Sequence, residues 1–149
     1  MIPDLYIANK NYSSWSLRPW VLMQQLQIPF NERLMPFAGE ATPVIYRSFS
    51  PSGKVPCLVH GDIVVWDSMA IFEYLAELHP EVWPAQAVAR AWARCASAEM
   101  HAGFAPLRSI CTMNCGLRIR MASIDAGLQA DIDRIDELWN QGLNRFGGP

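Results

Sequence analysis

The chain has 149 residues, enough for one ordinary domain or two small ones with a real core. A formal net charge of −2, a pI of about 5.9 and the lack of any Lys/Arg-rich stripe exclude the electrostatic footprint of nucleic-acid binding. No apolar run approaches the roughly 20 residues needed to cross a bilayer, and residues 1–9 lack the basic start and cleavage site of a signal peptide, so the expectation is a cytoplasmic protein with no membrane partner.

Leu5-Tyr6-Ile7-Ala8 is a short apolar run that predicts a buried strand. Asn9 to Ser16 is polar and loop-like, and Ser16 is the candidate N-cap of a helix with Pro19 in its first turn. Val21, Leu22, Gln25 and Leu26 continue that helix, and Pro29 lies just beyond its end. Phe30 to Met35 predicts a second strand, parallel to the first because a helix joins them. Pro36 to Ser52 is irregular, with room for a short helix at Val44 to Phe49. Cys57 to His60 and Ile63 to Trp66 flank Gly61-Asp62 and predict an antiparallel hairpin. Ser68 to His79 carries Ile71, Tyr74, Leu75 and Leu78 on one helical face, and Pro80 ends it. The order β-α-β, short α, β-β-α predicts a four-stranded mixed sheet covered by helices, which is the order of a thioredoxin-like domain.

Strand signals stop after Pro84. Ala85 to about Arg108 is Ala-rich, with Ala89, Trp92, Ala96 and Met100 at helical spacing. A second helix is predicted from about Leu128 to Arg145, with the stripe Leu128, Ile132, Ile135, Leu138, Trp139 and Leu143. The expected organisation is an α/β domain over 1–79, a linker over 80–84 and the start of an all-helical domain over 85–149. Two helices cannot cover each other and a sheet domain together, so the helical domain is expected to be incomplete, with Phe146-Gly147-Gly148-Pro149 opening toward a further helix. Few charged residues (17%) and six tryptophans leave a greasy surface, which points to a subunit interface or to missing partners within the fold. Cys57, Cys95, Cys111 and Cys115 lack C-x-x-C and metal-site spacing. They read as reduced thiols, with a Cys111/Cys115 pair as the alternative, and no metal is expected.

Three short constellations carry chemistry. Tyr12-Ser13-Ser14-Trp15-Ser16-Leu17-Arg18 lies between the first strand and the first helix, where helix-end N–H groups and a serine hydroxyl favour an anion such as a thiolate. A free thiol titrates near about 8.5, and one charged hydrogen bond of roughly 1.5–3 kcal/mol is enough to activate it near neutral pH. The alternative is that these serines only cap the helix. Ser52-Gly53-Lys54-Val55-Pro56 precedes the hairpin, and Pro56 must open its strand because it cannot donate to a ladder. A cis bond there would turn the Val55 N–H and C=O toward an extended peptide; an ordinary trans proline is the alternative. At Trp66-Asp67-Ser68 the serine can hold a carboxylate and the aspartate an ammonium, as an amino-acid head group requires, or the pair can simply cap a helix.

A helix-start serine pair, a V-P at a strand start and a D-S at the next helix start, in that order, resemble the cytosolic glutathione transferases over essentially the whole chain. Ser13-Ser14-Trp15-Ser16-Leu17-Arg18 is most similar to the zeta class, the maleylacetoacetate isomerases, and specifically to a serine-type bacterial member. The resemblance implies a thioredoxin-like glutathione domain followed by an all-α domain. It implies glutathione as co-substrate, a small apolar electrophile and a homodimer. It places Ser13 as the catalytic serine and Ser14 as its helper. Val55 beside a cis Pro56 pairs with the cysteinyl backbone, Asp67 and Ser68 hold the γ-glutamyl group, and Lys54 is the candidate for the glycyl carboxylate. Trp15 stands where the zeta class has cysteine, which leaves the isomerase reaction open. The same replacement argues against the mixed-disulfide chemistry of the beta class. Gly103-Phe104-Ala105-Pro106-Leu107 is similar to a zeta stretch in the first helix of the second domain, so Met100, His101, Phe104 and Arg108 are candidates for the electrophile pocket, against plain core packing. The expected activity is glutathione transfer; the alternative is a non-catalytic protein of the same fold that binds a ligand or partner.

Overall fold

The computed structural model describes residues 1–147, which divide into one unit over Met1–Val82 and a second from Trp83 onward. The first unit contains β1 (Asp4–Ile7), α1 (Ser14–Gln25), β2 (Asn31–Leu34), α2 (Thr42–Tyr46), β3 (Cys57–His60), β4 (Ile63–Trp66) and α3 (Ser68–Leu78). The strands form one mixed sheet in the order β2-β1-β3-β4, with β1 and β2 parallel and β1/β3 and β3/β4 antiparallel. This is the predicted βαβ unit joined to a hairpin.

Alternation along β1 divides the sheet's two faces. Leu5 and Ile7 are fully buried with Leu58 of β3, Met23 of α1 and Ile71 and Leu75 of α3, so both long helices cover one face. Tyr6 points the other way and stacks on Phe49 at 4.2 Å. Tyr46 of α2 is buried beside that pair and donates its hydroxyl to the Met35 carbonyl at 2.7 Å, closing the second face with aromatic rather than aliphatic packing.

The start of α1 differs from the sequence expectation. Ser16 is not the cap. The helix begins at Ser14, Ser13 occupies the cap position, and Pro19 falls in the second turn. Ser16 is held inside instead, because its hydroxyl accepts the N–H of Ala8 at the end of β1. The short helix also starts earlier than expected, at Thr42 with Pro43 in its first turn, and ends at Tyr46.

The second unit contains α4 (Ala87–Ala102), α5 (Ala105–Ile110) and α6 (Ala126–Phe146). The single helix expected to reach Arg108 is broken at Gly103-Phe104, where Phe104 adopts a left-handed backbone. Pro106 explains the break: it lacks an N–H and fits the first turn of a new helix, not the middle of an old one. The Gly103–Leu107 stretch is therefore a corner between two helices, not the interior of one. Asp125 caps α6 by accepting the Leu128 N–H at 2.8 Å. Arg134 of α6 grips Glu99 of α4 through Nε at 2.6 Å and Nη2 at 2.9 Å, a bidentate pair. Gly142 is a contact point between the same helices, since a Cβ there would lie 2.5 Å from Trp92 Cη2. Of the predicted α6 stripe, Leu128 and Leu138 are buried, whereas Trp139 is 67% exposed and Leu143 is also exposed. Gly148 and Pro149, part of the expected closing loop, lie outside the described residues.

Candidate functional site

Sheet register decides which loops meet. Tyr6 of β1 is level with Arg33 of β2 and Cys57 of β3, and Cys57 is level with Trp66 of β4. Because β1 and β4 run toward this row and β3 runs away from it, three segments leave the same end of the sheet. They are the loop after β1 leading to Ser13, the Val55-Pro56 pair before β3, and Asp67-Ser68 after β4. From β1 to β4 is two interstrand steps, about 10 Å, close to the reach of about three extended residues. The predicted site residues of the first unit are thus brought to one edge, on a scale that suits a tripeptide.

Ser13 is 8% exposed, and its backbone N–H donates to the Asn9 carbonyl at 2.9 Å. Its hydroxyl makes no capping bond to α1. It donates to Ser16 Oγ at 2.9 Å instead. The capping alternative is therefore not realised at Ser13. Ser14 is half-buried in the first turn, with its N–H on the Tyr12 carbonyl at 3.1 Å. The Arg18 guanidinium lies over the Trp15 ring at 4.2 Å, a cation–π contact at the place of the zeta cysteine. Ser16 is the residue that sequence reasoning misassigned. Its helix-start position suggested a cap, and only the return of β1 beneath it reveals another partner.

The segment before β3 is shaped by Gly53, which has φ +66° and donates its N–H to the carbonyl of fully buried Ser50. A side chain at Gly53 would be strained by that φ and would sit 3.2 Å from Arg47 Cγ and 3.3 Å from the Pro43 carbonyl. The turn delivers Lys54 exposed, Val55 half-buried and Pro56 buried, and the Val55–Pro56 bond is cis. Cys57, immediately after, is buried and donates its thiol to the Phe49 carbonyl; burial raises its pKa, which marks it as a packing thiol.

Asp67 has φ +80° and ψ 136°, a sparsely populated backbone for a non-glycine residue. Its Oδ1 accepts the Met69 N–H at 2.8 Å, so the capping alternative is realised here. Ser68 is different. It is 1% exposed, and its hydroxyl has no hydrogen-bond partner among the described residues. At a helix start, beside a strained aspartate, this hydroxyl is free to donate to an acceptor brought to the sheet edge.

The four pocket candidates of the second unit are dispersed around the helix corner. Met100 and His101 lie in the last turn of α4, Phe104 at the break and Arg108 in α5. Phe104 is buried, in keeping with packing, and the other three are half-buried. A shallow groove of about 440 Å³ opens elsewhere, along the first half of α4, lined by Ala87, Val88, Ala91, Trp92, Cys95 and Arg145, and none of the four borders it. Among the described residues no cluster of His, Cys, Asp or Glu has the geometry of a metal site, and no helix is long and apolar enough to cross a membrane.

Residues 12–78 match the family model described as glutathione S-transferase, N-terminal domain. A probable maleylacetoacetate isomerase of Caenorhabditis elegans is 29% identical over 110 residues, covering 72% of this chain and 50% of that protein. Glutathione S-transferase 1 of Dianthus caryophyllus is 36% identical over 78 residues, 52% of this chain and 35% of that protein. A glutathione transferase homologue from Burkholderia, solved with bound glutathione, superposes with a TM-score of 0.60 at 26% identity, covering 72% of this chain and 60% of that one. The chain thus spans half the length or less of these two curated relatives. The matches support the glutathione transferase family, and the fold is that of its members: a thioredoxin-like sheet domain with a helical region after it.

Proposed function

We propose that this chain binds glutathione and activates its thiol for attack on a small apolar electrophile, as a zeta-like, serine-type glutathione transferase. The observation that carries the reading is the buried, unpartnered Ser68 hydroxyl beside Asp67, at the same sheet edge as Ser13 and Val55. A γ-glutamyl carboxylate supplies the acceptor that Ser68 lacks, and Asp67 faces its ammonium. The Val55 backbone pairs with the cysteinyl residue, and Lys54, exposed on the preceding turn, meets the glycyl carboxylate.

The thiol then lies toward Ser13 at the start of α1. Ser13 donates a hydrogen bond to the sulfur, Ser14 assists, and the helix end adds its partial positive charge. The thiol proton leaves to solvent, and on an aryl halide the sulfur lone pair forms a bond to the ring carbon as the carbon–halogen bond breaks and halide departs to solvent. Glutathione itself brings the nucleophile, so no protein nucleophile is required. Met100, His101, Phe104 and Arg108 remain the candidates for contact with the electrophile, and the functional protein is a homodimer, which light scattering tests directly.

Retention on immobilised glutathione, followed by turnover of an aryl halide, tests the reading. Binding with turnover that Ser13→Ala lowers at pH 6.5 far more than it lowers glutathione affinity supports it. Binding without turnover supports the non-catalytic alternative, and failure to bind refutes glutathione transfer.

A further inference from the structure

We propose that Ser16 is a positioning residue that holds and polarises the Ser13 hydroxyl; the inference rests on the reading of Ser13 as the thiolate donor. Ser16 is 1% exposed in the first turn of α1. Its Oγ accepts two hydrogen bonds, from the Ala8 N–H at 3.1 Å and from the Ser13 O–H at 2.9 Å. Ala8 is fully buried just past the end of β1, so its N–H needs an acceptor, and this need fixes Ser16 to the sheet. Ser16 is thereby a rigid post, and Ser13 is tied to it across one helical turn.

The Ser13–Ser16 pair consists of two hydroxyls, each able to donate or accept. In the ligand-free arrangement Ser13 donates and Ser16 accepts. A thiolate beside Ser13 is a stronger acceptor than a neutral hydroxyl, so the Ser13 O–H turns to the sulfur. Ser13 Oγ then takes the accepting role, and the Ser16 O–H donates into it. Two hydroxyl rotations achieve this without moving a heavy atom and without proton transfer. The resulting chain, Ser16 O–H to Ser13 O–H to sulfur, polarises the terminal donor and strengthens its bond to the charged thiolate. Lys10, paired with Glu32, and Arg18, stacked on Trp15, are the cations of the same segment and stay unchanged in the variants below, so a difference between variants isolates the hydroxyl.

The test is titration of the thiolate absorbance of glutathione bound to the full chain, in the wild type and in Ser13→Ala, Ser16→Ala, Ser16→Cys and Ser16→Thr. Ser16→Ala should raise the thiol pKa by about half a unit, about two- to threefold less thiolate at pH 6.5, with glutathione affinity changed by less than about twofold. Ser16→Thr keeps the hydroxyl and should restore the wild-type titration. Ser16→Cys still offers sulfur to the Ala8 N–H but donates weakly, so it should titrate like Ser16→Ala and serves in its place if the alanine variant does not fold. A Ser16→Ala or Ser16→Cys titration that overlays the wild type, while Ser13→Ala is shifted, overturns the role of Ser16 alone. A Ser16→Thr shift as large as that of alanine overturns it as well, since the hydroxyl would not be the cause. No shift in Ser13→Ala would overturn the thiolate-donor reading itself, and the Ser16 inference with it.

Discussion

On the proposed reading, replacing Ser13 by alanine removes its hydrogen bond to a charged sulfur and its link to Ser16 Oγ but leaves the helix start intact, because the Ser13 hydroxyl caps nothing. A charge-assisted bond of roughly 1.5–3 kcal/mol corresponds to about 1.1–2.2 pKa units. Starting from a free thiol near about 8.5, the bound thiol then titrates between about 6.3 and 7.4. At pH 6.5 the thiolate fraction is about 10–60% in the wild type and about 1% in Ser13→Ala, a loss of about 10- to 60-fold in turnover. The sign fixes the pH window. The lowered thiol pKa matters only below the ordinary value, so at pH 9.5 both proteins carry almost fully ionised glutathione and their rates converge. The assay is kcat for an aryl halide at saturating glutathione across pH 6–9.5. A deficit that is equally large at pH 9.5 refutes the argument, since it would show that Ser13 acts on something other than thiol ionisation.

Ser68→Ala deletes an unpaired buried hydroxyl, so the thermal midpoint should hold or rise while glutathione affinity falls about tenfold or more; calorimetry of both quantities checks it, and a loss of stability with intact affinity contradicts the assignment. The Lys10 ammonium, helped by the Trp20 indole, holds the Glu32 carboxyl below its usual range. Its stabilising contribution is complete above the ordinary glutamate value and is lost as pH falls through the depressed one. Glu32→Gln should therefore cost up to about 1 kcal/mol in urea unfolding at pH 7 and progressively less as pH falls below the ordinary glutamate range; a cost independent of pH speaks against the linkage. Gly142→Ala drives a methyl into the Trp92 ring. Overpacking of about 1–3 kcal/mol outweighs the gain of about 1 kcal/mol in helix propensity, so the thermal midpoint should fall, and Trp92→Leu in the same chain should reverse the sign of the Gly142→Ala effect.

The elements that local chemistry defines were legible in the sequence. Gly61-Asp62 between two short runs, Cys57 to His60 and Ile63 to Trp66, marked the hairpin, and the apolar run Leu5-Tyr6-Ile7-Ala8 marked the buried strand. The positions of Val55, Asp67 and Ser68 relative to those elements followed. What was not legible depends on partners distant in the chain. Ser16 has the composition and place of a cap, and only the buried Ala8 N–H claims its oxygen. Trp139 and Leu143 share the helical spacing of Leu128 and Leu138, but periodicity reports what a face can bury and not what is there to cover it. The corner at Gly103-Phe104 was readable in principle from Pro106, whose missing N–H outweighs the alanine-rich surroundings. The sequence only suggests Ser68 as a carboxylate ligand, and its lack of a protein partner is a property of the packed helix start alone.

The shared row through Tyr6, Cys57 and Trp66 makes the sheet a caliper for the edge where the loops meet. Sliding β1 by one residue against β3 would carry Leu5 and Ile7 out of the aliphatic layer and push Tyr6 into it, at about 1.5–3 kcal/mol for each side chain displaced. The spacing between the Ser13 loop and the Val55-Pro56 pair is therefore guarded by residues that never approach a ligand. Volume-conserving aliphatic exchanges at Leu5, Ile7 or Leu58 leave the caliper set, whereas a polar residue at any of them releases the catch and misaligns three loops at once.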